Sequence, residues 1–361
     1  MKLHAWPRVI SRLRPIKPEP MSNLNKIFYA RSLMLCALFL TSLSTRSQTL
    51  EPTEPAKVAE DEIEEVLVVG EQPGPSLWRV YKDDHVMWVM GTLSPLSKNM
   101  QWHSKKVETV VAESQEFLRE PGVKLQVSFW GKVGLLPSLV GIKNNPDGQK
   151  LIDVLPAPLY ARWAVLKEKY IGKDNDIEKH RPIFAATELF KKSIEKSDMV
   201  PYDSIRWAVE AIVRDKKIKT TRPIVDHTVK NPRAIAKQFK KSSLDDVECF
   251  AKTLDRLETD LDAMRTRANA WATGDLVALR NLPYHDERED CESAVLNSEL
   301  AQEQGLQDIK TAMKVEWLAA AEAALATNES TFAMLPMAEL YKTDGYLTAL
   351  QVKGYTVERP E

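Results

Sequence analysis

Strand-like and helical patterns of apolar residues alternate in the first part of the chain. Residues 77–81 and 86–90 are rich in β-branched and aromatic side chains, and the polar residues between them favour a turn. Apolar residues then recur at helical spacing over 107–117 and end in a strand-like Phe117-Leu118. Residues 123–129 alternate strictly between apolar and polar. This region is therefore predicted to form a β-hairpin, a helix and two further strands.

The middle of the chain has the spacing of amphipathic helices. Leu159, Trp163, Leu166 and Tyr170 repeat at helical intervals, so we expect these aromatic residues to form core rather than to hold a cofactor. Further helices are predicted from capping residues and apolar spacing: one starting at Pro182, one around residues 205–213, one starting at Asn231-Pro232, and a long one running from Ser243 through Asp246 towards Trp271.

The pattern returns to strands at the carboxyl end. Residues 331–335 and 355–357 read as strands, with a short helix around Leu347 between them and Gly354 as its stop. The two ends of the domain therefore supply the sheet. We predict a mixed α/β (α+β) fold with a central sheet built from its N- and C-terminal parts and a helical insert at about residues 150–327. Because no Gly/Ser-rich or Pro-rich linker divides the chain after residue 76, residues 66–361 are predicted to form one domain.

The amino terminus has the composition of an export signal. Lys26 and Arg31 precede the uncharged run 32–40, which small residues follow. This order predicts a secretory signal peptide in residues 1–44, with Met21 as an alternative start, and a retained amphipathic anchor is the other interpretation. Residues 45–65 are acidic and are expected to form a flexible leader. We therefore predict a periplasmic or secreted protein with no membrane span after cleavage.

Charge argues against nucleic acid as a partner. The whole chain has 50 basic and 51 acidic residues. Residues 1–44 contain seven of the basic residues and one of the acidic ones, so cleavage leaves 43 basic and 50 acidic residues, a net charge of −7. An acidic chain with only short pairs such as Lys240-Lys241 gives no electrostatic reason to expect nucleic-acid binding.

Two cysteines remain after the predicted cleavage, Cys249 and Cys291. Export would place them in an oxidising compartment, so we predict a disulfide between them. Closing a loop of about forty residues would stabilise the fold by roughly 3 to 4 kcal/mol. Two separately buried thiols are the alternative, because spacing alone does not fix the pairing.

Several common catalytic layouts are missing from the sequence. It has no Gly-x-Gly-x-x-Gly motif after a strand, no Walker loop and no Gly-x-Ser-x-Gly elbow, so nucleotide binding and the usual serine-hydrolase layout have no support. The histidines have no His-Glu-x-x-His or His-x-His spacing that would place two imidazoles on one face.

Both ends of the domain resemble the TraB/GumN family. The resemblance is carried by residues 76–80, Gly91-Thr92-Leu93-Ser94-Pro95-Leu96 and the helix after them, and by residues 331–340, 344–347 and 353–357 near the carboxyl end. It implies a metal-dependent hydrolase or peptidase in which two Gly-x-x-His motifs on adjacent strand ends, with a nearby carboxylate, hold a divalent metal and activate water. A wider superfamily includes haem-handling proteins, but no haem ligand can be named here.

The histidines of both family motifs are replaced in this chain. The first motif reads Gly91-Thr92-Leu93-Ser94 and the second reads Pro336-Met337-Ala338-Glu339. The family's acidic position corresponds to Glu120, and Met313-Lys314 stand where the family has an Arg-Asn pair ahead of a tryptophan, here Trp317. Losing two imidazoles removes the nitrogen ligands that make zinc or copper binding tight.

Two functions follow from these departures. The first is an exported, catalytically degenerate protein that binds an unknown protein or small ligand in the former catalytic cleft and needs no cofactor. The alternative is a hydrolase or peptidase with an oxygen-ligand site for Mg²⁺, Mn²⁺ or Ca²⁺ formed by Glu120, Glu339 and Ser94. His103 could replace a lost ligand, but we interpret it as a surface residue at a helix start. The sequence does not decide whether the protein is an enzyme.

Overall fold

The computed structural model places all of the described residues in one compact unit, Leu67–Glu361. The described residues are 74–98, 100, 102, 105–200, 203–241, 246–282 and 287–360. The predicted signal peptide and leader lie outside them, as do His103 and Ser243.

Short strands and longer helices make up the unit. The strands are β1 (Leu77–Lys82), β2 (His85–Thr92), β3 (Leu96–Ser97), β4 (Glu116–Leu118), β5 (Gly122–Gln126), β6 (Met199–Val200), β7 (Lys219–Thr221), β8 (Ile224–Thr228), β9 (Ser330–Pro336) and β10 (Thr356–Glu358). The helices are α1 (Lys105–Glu113), α2 (Phe129–Leu139), α3 (Leu151–Val154), α4 (Ala157–Tyr170), α5 (Pro182–Lys196), α6 (Asp203–Asp215), α7 (Pro232–Lys241), α8 (Val247–Thr259), α9 (Leu261–Thr273), α10 (Leu276–Asn281), α11 (Glu287–Leu296), α12 (Glu299–Glu303), α13 (Ile309–Thr327), α14 (Met337–Tyr341) and α15 (Tyr346–Val352).

A six-stranded mixed sheet organises the fold, in the order β10-β1-β2-β9-β4-β7. β1 is antiparallel to β2 and β10, which confirms the predicted hairpin, whereas β2, β9, β4 and β7 are parallel to one another. The four parallel strands therefore end at one edge of the sheet, which we call the carboxyl edge. They begin at the opposite side, which we call the amino edge.

The mixed α/β class is confirmed, and most of the sheet comes from the two ends of the domain. The helical middle also contributes a strand that the sequence pattern did not indicate, because the polar β7 pairs with β4. β5 and β8 form a separate parallel ribbon. The predicted strand over residues 123–129 was too long: it ends at Gln126, and Ser128 caps α2 by accepting a hydrogen bond from the backbone N–H of Gly131 at 3.1 Å.

Two main clusters of apolar side chains stabilise the unit, and Ile194, Met199 and Met264 form a third, minor one. The larger cluster packs helices against the main sheet and buries Trp78, Trp271, Trp317 and Phe332. The smaller one joins α3, α4, α5 and α8 around Trp163. Trp163 and Tyr170 are thus core residues, as their helical spacing predicted, whereas Phe129 and Trp207 are exposed.

The long helix predicted towards Trp271 is two helices, α8 and α9, separated at Asp260. The Asp260 carboxylate accepts a hydrogen bond from Arg267 Nη2 at 2.5 Å and lies 3.7 Å from Arg256 Nε. Asp side chains favour helix ends over helix interiors, and these two cations hold this one at the junction.

The predicted disulfide is confirmed. Cys249 of α8 and Cys291 of α11 are bonded, with their Cα atoms 5.0 Å apart. The bond ties α11 to the helical cluster around Trp163. None of the described helices combines the length and the apolar character needed to cross a lipid bilayer.

Candidate functional site

The segments 91–94 and 336–339 lie at the ends of adjacent parallel strands. In the β2–β9 pairing Gly91 is opposite Leu335 and Thr92 is opposite Pro336. A Cβ atom at Gly91 would lie 2.7 Å from Met337 Cε and 2.9 Å from Leu340 Cδ1, so a glycine there lets α14 pack on the end of β2. Ser94 follows two residues after β2 and precedes Pro95 through a cis peptide bond.

A hydroxyl connects the ends of three strands. Thr92 Oγ1 donates a hydrogen bond to Glu120 Oε1 at 2.5 Å and lies 3.3 Å from the carbonyl oxygen of Leu335. Glu120 follows β4, and Leu335 lies in β9. Sequence reasoning selected Glu120 but missed Thr92, whose position directly after Gly91 at the end of a strand was the available signal.

Glu339 is held by a lysine one turn along α14. Lys342 Nζ lies 2.7 Å from Glu339 Oε1, with the two side chains 36% and 27% exposed. Burial, and secondarily the negative charge of Glu339, raises the pKa of Tyr346 to about 12, so this phenol stays protonated at neutral pH. A Cβ at Gly345 would overlap the Glu339 carbonyl oxygen, so the turn after α14 requires glycine.

Two buried indoles fix the backbone of this edge. Trp271 Nε1 donates a hydrogen bond to the carbonyl oxygen of Gly91 at 2.7 Å, and Trp317 Nε1 donates one to that of Arg119 at 3.1 Å. Lys314, one turn before Trp317, donates a hydrogen bond to the carbonyl oxygen of Asp344. Lys314 therefore supports the segment between α14 and α15.

Charged side chains surround the end of β4. Arg119 Nε lies 3.2 Å from Glu210 Oε1, and Arg206 Nε lies 4.0 Å from the same oxygen. The pKa of Arg119 is lowered overall. Burial is the largest cause, and the positive charges of Arg206 and Arg222 add to it, while the negative charges of Glu210 and Glu120 act in the opposite direction. This part of the edge thus combines three guanidinium groups with two carboxylates.

The side chains at the edge do not fit the metal site that the family motifs imply. Over the part of the chain that the structure describes, no group of three or more His, Cys, Asp or Glu side chains could hold a metal ion. Glu339 contacts Lys342 and Glu120 contacts Thr92. His85 lies at the amino edge, with Nδ1 2.7 Å from the carbonyl oxygen of Asn328. Among the described residues, the contacts at the carboxyl edge therefore involve oxygen atoms, ammonium and guanidinium groups, and no pair of imidazoles.

A family model for the TraB/PrgY/gumN family matches residues 76–359, which is most of the chain. The chain belongs to the TraB/PrgY/gumN family. No curated protein and no solved structure matches it. In this TraB/PrgY/gumN chain, the matched residues include the segments 91–94 and 336–339, Glu120 and Trp317.

Proposed function

We propose that this TraB/PrgY/gumN protein is exported, has lost the metal chemistry of its family, and binds a protein or small ligand at the carboxyl edge as a periplasmic binding or accessory protein. The observation that carries the proposal is the ion pair between Glu339 and Lys342. The second family motif ends in a carboxylate in place of an imidazole, and an ammonium group stands beside that carboxylate. A cation beside Glu339 disfavours a second cation at the same oxygen atoms.

The ordering of the edge supports a binding role. Trp271 and Trp317 each hold a backbone carbonyl at or next to a strand end, and Lys314 holds one in the segment between α14 and α15, so the polar groups of the edge are carried on a fixed frame. A pre-ordered frame lowers the entropic cost of binding, whether or not a reaction follows. The guanidinium groups of Arg119, Arg206 and Arg222 would favour an acidic ligand.

The alternative is a hydrolase with a remodelled oxygen-ligand site, and one contact favours it. Thr92 Oγ1 lies within hydrogen-bonding distance of both Glu120 Oε1 and the Leu335 carbonyl, so three oxygen atoms converge at the strand ends. Oxygen ligands of this kind suit Mg²⁺, Mn²⁺ or Ca²⁺. In this alternative Glu120, Glu339 and Ser94 would hold the ion, which would acidify a bound water for attack on the substrate.

Metal content and metal-dependent stability separate the two functions. The exported protein is purified without added metal or chelator, its metal content is measured by elemental mass spectrometry, and its melting temperature is followed during titration with Zn²⁺, Mn²⁺ and Ca²⁺. We expect no stoichiometric metal and no shift in melting temperature. Glu339→Ala is compared with Glu322→Ala, because Glu322 forms a similar surface ion pair with Lys353 outside the candidate site. A stoichiometric metal that Glu339→Ala loses and Glu322→Ala keeps would overturn the proposal.

A further inference from the structure

Two helices outside the candidate site combine exposed apolar and basic side chains. They follow the ribbon of β5 and β8, which continues the pairing of β4 and β7. Two backbone hydrogen bonds of 3.0 Å connect the two pairs of strands: Arg119 N donates to the carbonyl oxygen of Thr221, and Gly122 N donates to that of Pro223. β5 leads into α2, and β8 leads into α7. A Cβ at Gly131 would lie 3.2 Å from Pro232 Cγ, so the two helices begin side by side, and they pack together.

The outer surface of α2 is apolar. Phe129, Leu136 and Leu139 are 70%, 65% and 41% exposed. They follow one another at intervals of seven and three residues, so they lie on one side of the helix. Residues 122–143 and 219–241 together contain seven of the fifteen large apolar side chains that are exposed in the described part of the chain. Apolar groups on a folded surface are usually scattered, so a concentration of this kind indicates a binding surface.

The outer surface of α7 is basic. Arg233, Lys237 and Lys241 are exposed and recur every four residues, which places them in a row along the helix. Residues 122–143 and 219–241 contain ten basic residues and one acidic residue, in a chain that has 50 basic and 51 acidic residues overall. The acidic residue is Asp226, which pairs with Lys124 in the β5–β8 register. Glu303 of α12 reaches Gln238 of α7, which offsets one of these charges.

We propose that the α2–α7 face, formed by the exposed side chains of Phe129, Leu136, Leu139, Arg233, Lys237 and Lys241, binds the surface of an anionic lipid bilayer. Apolar side chains enter the interface between head groups and acyl chains, and basic ones bind the lipid phosphates. A nucleic acid would account for the basic row but not for the exposed phenylalanine and two leucines of the adjoining helix. This proposal does not rest on the proposed function, because none of these residues belongs to the candidate site.

Binding to a bilayer would also determine the position of the carboxyl edge relative to the membrane. Glu120 and Arg119 stand between β4 and β5, so the ribbon that carries the α2–α7 face begins at the candidate site. Binding at this face would hold that site beside the membrane surface.

Vesicle sedimentation tests the proposal on the full exported protein. The protein is mixed at low salt with vesicles of phosphatidylcholine and phosphatidylglycerol, with vesicles of phosphatidylcholine alone, and separately with duplex DNA. We expect it to pellet with the anionic vesicles, less with the neutral ones, and less at high salt. No pelleting with anionic vesicles at low salt, or DNA binding without vesicle binding, would overturn the proposal.

Two variants with matched controls assign the binding to the α2–α7 face. The triple variant Arg233→Gln, Lys237→Gln and Lys241→Gln is expected to bind anionic vesicles about 100-fold more weakly, because each basic residue near the membrane contributes about 1 kcal/mol and every 1.4 kcal/mol is tenfold. Phe129→Ser with Leu136→Ser is expected to weaken binding at least about 10-fold through lost apolar burial. The controls are Lys106→Gln, Lys173→Gln and Lys191→Gln together, and Val165→Ser with Val277→Ser at two sites that are each 69% exposed.

The controls are expected to bind like the wild type, and circular dichroism checks that every variant is folded. If the basic triple variant loses binding and the apolar double variant does not, the partner is a soluble polyanion and the bilayer assignment is wrong. If the control variants lose binding equally, the face itself is wrong.

Discussion

Glu116 and Glu339 lie at opposite edges of the parallel strands, and they differ in burial and in the partners of their carboxylates. At the amino edge, the Glu116 side chain is only 3% exposed and contacts Lys219 Nζ at 2.9 Å, Asn328 Nδ2 at 2.8 Å and the hydroxyl of Thr221. At the carboxyl edge, Glu339 is 27% exposed and pairs with Lys342 in a surface ion pair. A buried carboxylate needs several donors to offset its lost hydration, whereas a partly exposed one keeps water as a partner.

This difference indicates that the two carboxylates have different roles at the two edges of the sheet. Glu116 cannot lose these partners without leaving its own buried carboxylate unsatisfied, so it serves the fold. Glu339 can exchange Lys342 for a ligand at small cost, since surface ion pairs contribute little. The carboxyl edge is thus the end of the sheet where binding can occur without unfolding the strands.

Removing the carboxylate at the amino edge should have the largest effect. Glu116→Ala is expected to lower the free energy of unfolding by about 2 to 4 kcal/mol, because Asn328 and Thr221 lose a buried acceptor. The Lys219 side chain is 68% exposed and can turn to water, so its part of the loss is small. Urea unfolding followed by tryptophan fluorescence measures the change. Glu120→Ala at the opposite edge is the matched control, and an equal loss there would break the comparison.

A substitution that crowds the backbone carbonyl of Glu339 is expected to cost more stability than one that removes the ion pair of its side chain. Gly345→Ala is expected to cost about 1 to 3 kcal/mol, because the new methyl group would overlap the carbonyl oxygen of Glu339 and crowd that of Lys342. Gly122→Ala is the matched control, because Gly122 also lacks a positive φ and the nearest atom to a Cβ there, Ile224 Cγ1, lies at an ordinary 3.9 Å. If Gly345→Ala unfolds no more easily than the wild type, the turn after α14 is looser than we describe.

The loss of stability at acid pH is expected to depend on the Glu116 carboxylate. Burial is the largest single influence and raises the pKa of Glu116, but the hydrogen bonds from Thr221, Asn328 and Lys219 together lower it below its ordinary 4.5. A lowered pKa means that the stabilisation is complete above about pH 4.5 and is lost as the pH falls through the pKa of the folded state. We expect Glu116→Gln to flatten this loss at acid pH. An unchanged acid dependence in Glu116→Gln would assign the titration to other carboxylates.

Local patterns predicted much of this fold, and long-range pairing explains the rest. The β1–β2 hairpin follows from two strand-like runs and a turn, all visible within fifteen residues. The three residues of β7 are polar and join the sheet only because β4 pairs with them from about a hundred positions earlier. Thr92 was missed for the same reason, since its partner Glu120 follows another strand, β4. A threonine such as Thr92 can be identified as a site residue only when the partner of its hydroxyl is known.

The ion pair at the carboxyl edge should contribute least, and that is the sharpest test of the comparison. Lys342→Gln is expected to lower the free energy of unfolding by less than about 1 kcal/mol, because both side chains keep contact with water. Lys353→Gln is the matched control, since Lys353 pairs with Glu322 at 2.5 Å with similar exposure, and the two variants should lose similar amounts in urea unfolding. A much larger loss in Lys342→Gln would mean that Glu339 serves the fold as Glu116 does. Equal small losses would leave Glu339 able to exchange its lysine for a ligand, as a binding edge requires.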